Sequence, residues 1–199
     1  MRLVLLVSGS GTNLQAVIDA ARCGSPFSIA AIGSDVPGCG GLARAEQAGI
    51  PTFAVPLARG ADRAAWNRDL CAAVRDAAPD LVVSSGFMKI LGSEFLDSVG
   101  VPVINTHPAL LPSFPGAHAV RDALVHGVRV TGATLHLVDA GVDTGPIIEQ
   151  VPVRVHDGDD ETTLHERIKV QERQLLVDGL TGLAEGRLQL PAASSTGHR

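Results

Sequence analysis

Apolar residues fall in short continuous runs along the first half of the chain, separated by stretches in which they recur at helical spacing. Leu3 to Val7 is an uninterrupted β-prone run, as expected of a strand buried on both faces. Ser8-Gly9-Ser10-Gly11-Thr12-Asn13 follows as a turn, and Leu14, Val17, Ile18 and Ala21 then mark one helix face. Ser28 to Ile32 reads as a second strand, Gly41 to Ala48 as a helix and Pro51 to Val55 as a short third strand. Asp62 is placed to cap a helix whose inner face carries Trp66, Leu70 and Val74. Asp80 to Ser84 and Val101 to Ile104 supply two further strands.

The pattern changes after that. Ala117 to His126 reads as a helix, and Thr131 to Val138 and Pro146 to Val153 as two long β-rich runs around a Gly- and Asp-containing loop. These predict a hairpin-like pair that extends the sheet with antiparallel pairing. Glu161 to Leu183 is one final long helix. The expected fold is α/β: a mostly parallel, twisted sheet of about seven strands flanked by helices, with ligands gathering beyond the strands' carboxyl ends. One unit spans residues 1–199, with a Rossmann-like, nucleotide-type half over 1–100, a second half over 101–190 and a flexible tail over 191–199.

Composition narrows the partners. Hydrophobic residues are 45% and charged residues 19% of the chain, which describes a globular protein. Aromatics are 3% and the net charge is -5, so stacking platforms and basic tracts for a nucleic acid are missing. Cys23, Cys39 and Cys71 form no C-x-x-C pair and suit a reducing cytoplasm. The seven His residues lack ligand spacing, so no metal site is expected. The apolar start is too short for a signal peptide or a membrane span.

Two segments carry candidate chemistry. Gly11, Thr12 and Asn13 lie between the first strand and the first helix, where helix amides can hold an anion. The spacing is neither that of a dinucleotide fingerprint nor that of a triphosphate loop, and no acid is expected to close the second strand for a ribose diol. A monophosphate fits, and a plain helix cap at Thr12 fits as well. Further on, Asn105 and His107 alternate after a β-rich run, so both side chains point the same way, and Asp143 opens an Asp-Thr-Gly-Pro turn. A neutral donor, a proton that moves near neutral pH and a carboxylate that favours imidazolium suit acyl transfer to an amine. Taken alone, the same residues also make ordinary turns.

Five segments occur in order: Gly11-Thr12-Asn13-Leu14-Gln15, Phe87-Met88-Lys89-Ile90-Leu91, Asn105-Thr106-His107-Pro108-Ala109-Leu110-Leu111-Pro112, Pro115-Gly116 and Asp139 to Gly145. Together they resemble the folate-dependent formyltransferase superfamily up to about Leu190, and the Gly-Thr-Asn loop points to its glycinamide ribonucleotide branch. The resemblance implies the formyltransferase fold, with 10-formyltetrahydrofolate and glycinamide ribonucleotide as co-substrates in purine synthesis. It implies Asn105, His107 and Asp143 as catalytic residues, and residues 101–190 as the catalytic and folate-binding half. Gly11, Thr12, Asn13, Lys169 and Glu172 would take the ribonucleotide. Arg63, Met88, Lys89, Ile90, Leu91, Asn105, Val138, Asp139, Ala140 and Gly141 would meet the folate, with His118 in support. Neither a nucleic acid nor a membrane is implied, and a homodimer stays open. The alternatives are a formyltetrahydrofolate hydrolase, disfavoured by a first strand starting at Leu3, and a non-catalytic nucleotide-binding α/β module.

Overall fold

The computed structural model describes residues 1–191. Seven strands form one sheet in the order β3-β2-β1-β4-β5-β6-β7. In chain order they are β1 (Arg2–Val7), β2 (Ser28–Ser34), β3 (Thr52–Ala54), β4 (Leu81–Ser84), β5 (Val103–His107), β6 (Val130–Leu137) and β7 (Ile147–Arg154). The pairs among β1 to β5 are parallel, while β5–β6 and β6–β7 are antiparallel. The chain builds outward from β1 to β3 and then crosses back to lay β4 on the other side of β1. That reversal opens a crevice at the carboxyl ends of β1 and β4, the place where open α/β sheets take ligands.

The helices are α1 (Thr12–Arg22), α2 (Gly40–Gln47), α3 (Arg63–Asp76), α4 (Ser93–Val99), α5 (Ala119–His126) and α6 (Glu161–Ala184). Strand side chains alternate between two apolar layers. Leu3, Leu5, Val83 and Ile104 pack with α1, α2, α5 and α6, whereas Val4, Leu6, Val82 and Val103 pack with α3 and α4. Asp62 caps α3 as expected, accepting from the Ala64 amide. Asp160 and Thr163 form a capping box at the start of α6, and Arg167 pairs with Asp159 just before it at 2.8 Å. That guanidinium holds the Asp159 carboxyl well below the usual carboxylate range. The start of α6 is thereby fixed, with His165, Lys169 and Glu172 turned toward the crevice.

Three features depart from the expected pattern. Helix α4 was not anticipated, because only Phe95 and Val99 of its seven residues are buried and so short a run shows no period. Strand β2 continues to Ser34, which brings Asp35 to its carboxyl end, where no acid was expected. Strand β5 continues to His107, so Asn105 and His107 are strand residues held by the sheet and not turn residues beyond it. The expected loose tail begins at Pro191, and its residues 192–199 lie outside those described.

Candidate active site

A cleft of about 520 Å³ opens at the β1–β4 switch point. One wall is the loop from Gly9 to Asn13. Gly11 has φ 71 and its missing Cβ would lie 2.7 Å from Gly41 Cα, so a glycine is required there. Gly11 is the residue before α1 and provides no side-chain cap, while Thr12 is the first helical residue and caps nothing. The first amides of α1 therefore lack a side-chain partner, as an anion site needs. Arg44 braces the loop from behind, donating to Ser10 O at 2.8 Å and to the Gln15 side chain at 3.0 Å. Asn13 Oδ1 and the hydroxyl of Ser85 are buried without a hydrogen-bond partner, and both residues line the cleft.

On the same side, Lys169 pairs with Glu166 at 2.7 Å, and Glu172 accepts the Thr106 hydroxyl at 2.5 Å. Both Thr106 and Glu172 are buried. His165, one turn before Lys169, also lines the cleft, and burial followed by the Lys169 charge lowers its pKa.

The opposite wall is the segment from Phe87 to Leu91. Met88 and Ile90 present apolar side chains that are 74% and 61% exposed. Their backbone is nonetheless anchored, because Arg63 donates to Ile90 O at 2.6 Å and Ser8 Oγ accepts from Met88 N at 2.8 Å. Arg63 thus braces this wall from outside the cleft, its guanidinium 5.3 Å from the centroid of the Trp66 ring. Ala140 and His118 also lie outside the cleft lining, and His118 is exposed at the start of α5. Val138, Asp139 and Gly141 line it, as do Lys89 and Leu91.

Asn105, His107 and Asp143 converge between the walls. His107 Nε2 lies 2.8 Å from Phe114 O, and a carbonyl only accepts, so Nε2 carries a proton. Its Nδ1 lies 3.3 Å from Asp143 Oδ2, so oxygen acceptors face both ring nitrogens. Asp143 Oδ2 also accepts Gly116 N at 2.8 Å. Among the described residues no hydrogen bond reaches Asp143 Oδ1. The loop that delivers Asp143 is tightly determined: Asp139 accepts from Gly141 N and the Thr144 hydroxyl, and a Cβ on Gly145 would lie 1.8 Å from Leu137 O. Asp143 itself sits at φ 55, a conformation that Asp tolerates better than most residues.

A fourth side chain belongs with these and was not singled out from sequence. His136 lies directly opposite Asn105 in the antiparallel β5–β6 pair and is buried. Burial lowers its pKa, so the ring is neutral at neutral pH. Its Nδ1–H donates to Leu137 O at 2.8 Å, which leaves the Nε2 lone pair to accept Asn105 Nδ2–H at 3.3 Å. The 3.7 Å approach of His136 Nε2 to Asp143 Oδ1 is consequently not an ion pair. It sets a lone pair beside a carboxylate. His136 fixes which end of the Asn105 amide donates.

The profile of the formyl transferase family matches residues 1–180 of this chain. The chain belongs to the formyl transferase family. It is 55% identical over 183 residues to a phosphoribosylglycinamide formyltransferase of Mycobacterium tuberculosis, covering 92% of this chain and 85% of that protein. The Escherichia coli phosphoribosylglycinamide formyltransferase is 38% identical over 96% of this chain and 90% of its own length. The crystal structure of glycinamide ribonucleotide transformylase 1 from Symbiobacterium toebii superposes with a TM-score of 0.92 at 40% identity, covering 97% of this chain and 92% of that one. The chain is an enzyme of formyl transfer, and its fold is that of these transformylases. No described helix is long and apolar enough to cross a membrane.

Proposed function

We propose that this chain transfers the formyl group of 10-formyltetrahydrofolate to the primary amine of glycinamide ribonucleotide, giving N-formylglycinamide ribonucleotide and tetrahydrofolate in the cytoplasm. The reading is supported by one observation above the others. Asn105, His107 and Asp143 meet between an uncapped helix N-terminus and an apolar wall with a fixed backbone. The first wall suits a phosphate, with Gly11, Thr12 and Asn13 holding it and Lys169 and Glu172 reaching the ribose and amine end. The second suits a flat pterin ring against Met88 to Leu91 and Val138 to Gly141.

In this reading the amine nitrogen attacks the formyl carbon. Asn105 has a second Nδ2–H beyond the one given to His136, and His107 has Nδ1–H, which can be shared between Asp143 and a developing oxyanion. Each such donor contributes roughly 3 kcal/mol to the transition state. Asp143 Oδ1 takes the proton released by the amine. The tetrahedral intermediate then collapses: N10 of the folate gains a proton, the carbon–N10 bond breaks and the carbonyl reforms on the new amide. Holding both substrates in one cleft removes most of the entropic cost of their meeting.

The test is to follow tetrahydrofolate formation by purified protein with and without glycinamide ribonucleotide. Release only in its presence is expected. Equal release with formate as co-product in its absence would establish hydrolysis in place of transfer.

A further inference from the structure

Asp35 is a buried carboxylate for which the chemistry above has no use. Its side chain is 3% exposed, at the carboxyl end of β2. One oxygen accepts the Ser8 hydroxyl at 2.5 Å and the other lies 3.5 Å from Lys89 Nζ. With its proton committed to Asp35, the Ser8 oxygen turns a lone pair to Met88 N. Ser8 also donates its own amide to Gly86 O at 3.1 Å. The strand that feeds the phosphate loop and the segment that forms the apolar wall are thus joined through one serine, which a single carboxylate orients.

We propose that Asp35 is a positioning residue for the folate wall, acting through the Ser8 hydroxyl on Met88 N and through its ion pair on Lys89. Phe87 and Leu91 are buried and pin the two ends of the segment, but Met88 and Ile90 between them are mostly solvent-exposed, so packing does little to hold residues 88–90 in place. Polar anchors do it instead: Arg63 on Ile90 O, Ser8 on Met88 N and Asp35 on Lys89. Asp35 is buried but the Lys89 side chain is 34% exposed, and an ion pair open to solvent at one end adds little to stability, so its use here is to fix one geometry of the segment. A wall fixed before the ligand arrives binds it without the cost of ordering the segment. This inference rests on the reading that residues 88–91 receive the folate.

Steady-state kinetics on Asp35→Ala and the near-isosteric Asp35→Asn test it, each with both substrates varied. The folate KM is expected to rise about tenfold in Asp35→Ala, with kcat and the ribonucleotide KM within about twofold of wild type. Asp35→Asn keeps an acceptor for Ser8 and should show a smaller rise of the same selectivity; it decides the matter if Asp35→Ala does not fold. Adding Asp35→Asn to Lys89→Met should raise the folate KM less than about twofold beyond Lys89→Met alone, because the ion pair is already absent in that background. An unchanged folate KM, an equal rise in both KM values, or full additivity with Lys89→Met overturns the proposal. Ile90→Asp separates it from the wider reading. If that change raises the folate KM while Asp35→Ala and Asp35→Asn do not, the positioning role alone falls; if Ile90→Asp leaves folate binding intact, the folate wall is misplaced and the proposal falls with it.

Discussion

Replacing Thr106 by Val isolates what holds Glu172 in place. The two side chains meet at 2.5 Å with 7% and 6% of each residue exposed, on the α6 face of the sheet. Valine has nearly the shape of threonine, so no cavity opens and the change removes one hydroxyl. A hydrogen bond to a charged group contributes about 1.5–3 kcal/mol, and the loss falls on a carboxylate that keeps little access to water. Because Glu172 borders the cleft, part of that loss is recoverable, and about 2 kcal/mol is expected. For a chain of this length that corresponds to a fall in Tm of about 4–8 °C. The assay is thermal unfolding at pH 7.5 followed by circular dichroism, with urea titration as a check that the m-value is unchanged. Thr106→Ser retains the hydroxyl and should recover most of the loss. A valine variant that melts within about 1 °C of wild type would show that Glu172 does not depend on Thr106, and the reasoning fails.

Asp143→Asn should fold normally, since Asn also tolerates the left-handed backbone at this position, while kcat drops roughly 10²–10⁴-fold for lack of a proton acceptor; rates near wild type at saturating substrates would remove Asp143 from the mechanism. Asn13→Ala should raise the KM for glycinamide ribonucleotide several-fold and leave that for folate unchanged, and the opposite selectivity would exchange the two pockets. His136 has a folded-state pKa below its ordinary value, so below about pH 6.5 the unfolded chain binds this proton before the folded one. Its contribution is therefore fully present above that pH and is lost as pH falls toward the folded pKa. Tm measured from pH 8 down to 5 should decline more steeply for wild type than for the non-titrating His136→Gln, and parallel curves would contradict this.

Much of the sheet was legible because strands buried on both faces appear as continuous apolar runs, and five of the seven here are parallel or border parallel strands. The Asn105–His107 alternation was legible for a related reason: residues two apart share a strand face whatever lies beyond. His136 was hidden, since its significance depends on the register that sets it against Asn105, and register is a property of two distant segments. The expected second strand ends at Ile32, short of Asp35, whose partners Ser8 and Lys89 are 27 and 54 positions away in sequence, counted from their numbers. Arg63 holds the backbone of Ile90, 27 positions away, a contact that sequence spacing does not carry. His165 lines the cleft from a charged helical face that sequence alone reads as solvated.

Trp66 is the chain's one indole, and its position has an optical consequence. The ring is buried, lies parallel to Phe87 with centroids 6.3 Å apart, gives its N–H to Val55 O and carries the Arg63 guanidinium over one face. Phe87 opens the segment that continues through Met88 to Leu91, and Arg63 is bonded to Ile90. A molecule settling on that wall perturbs the indole through two neighbours at once. The α1 helix packs on the opposite face of the sheet from Trp66. Trp66 emission is therefore expected to shift when a ligand settles on the wall from Phe87 to Leu91 and to shift less when one binds only at the α1 amides, which a fluorescence titration with each substrate alone checks.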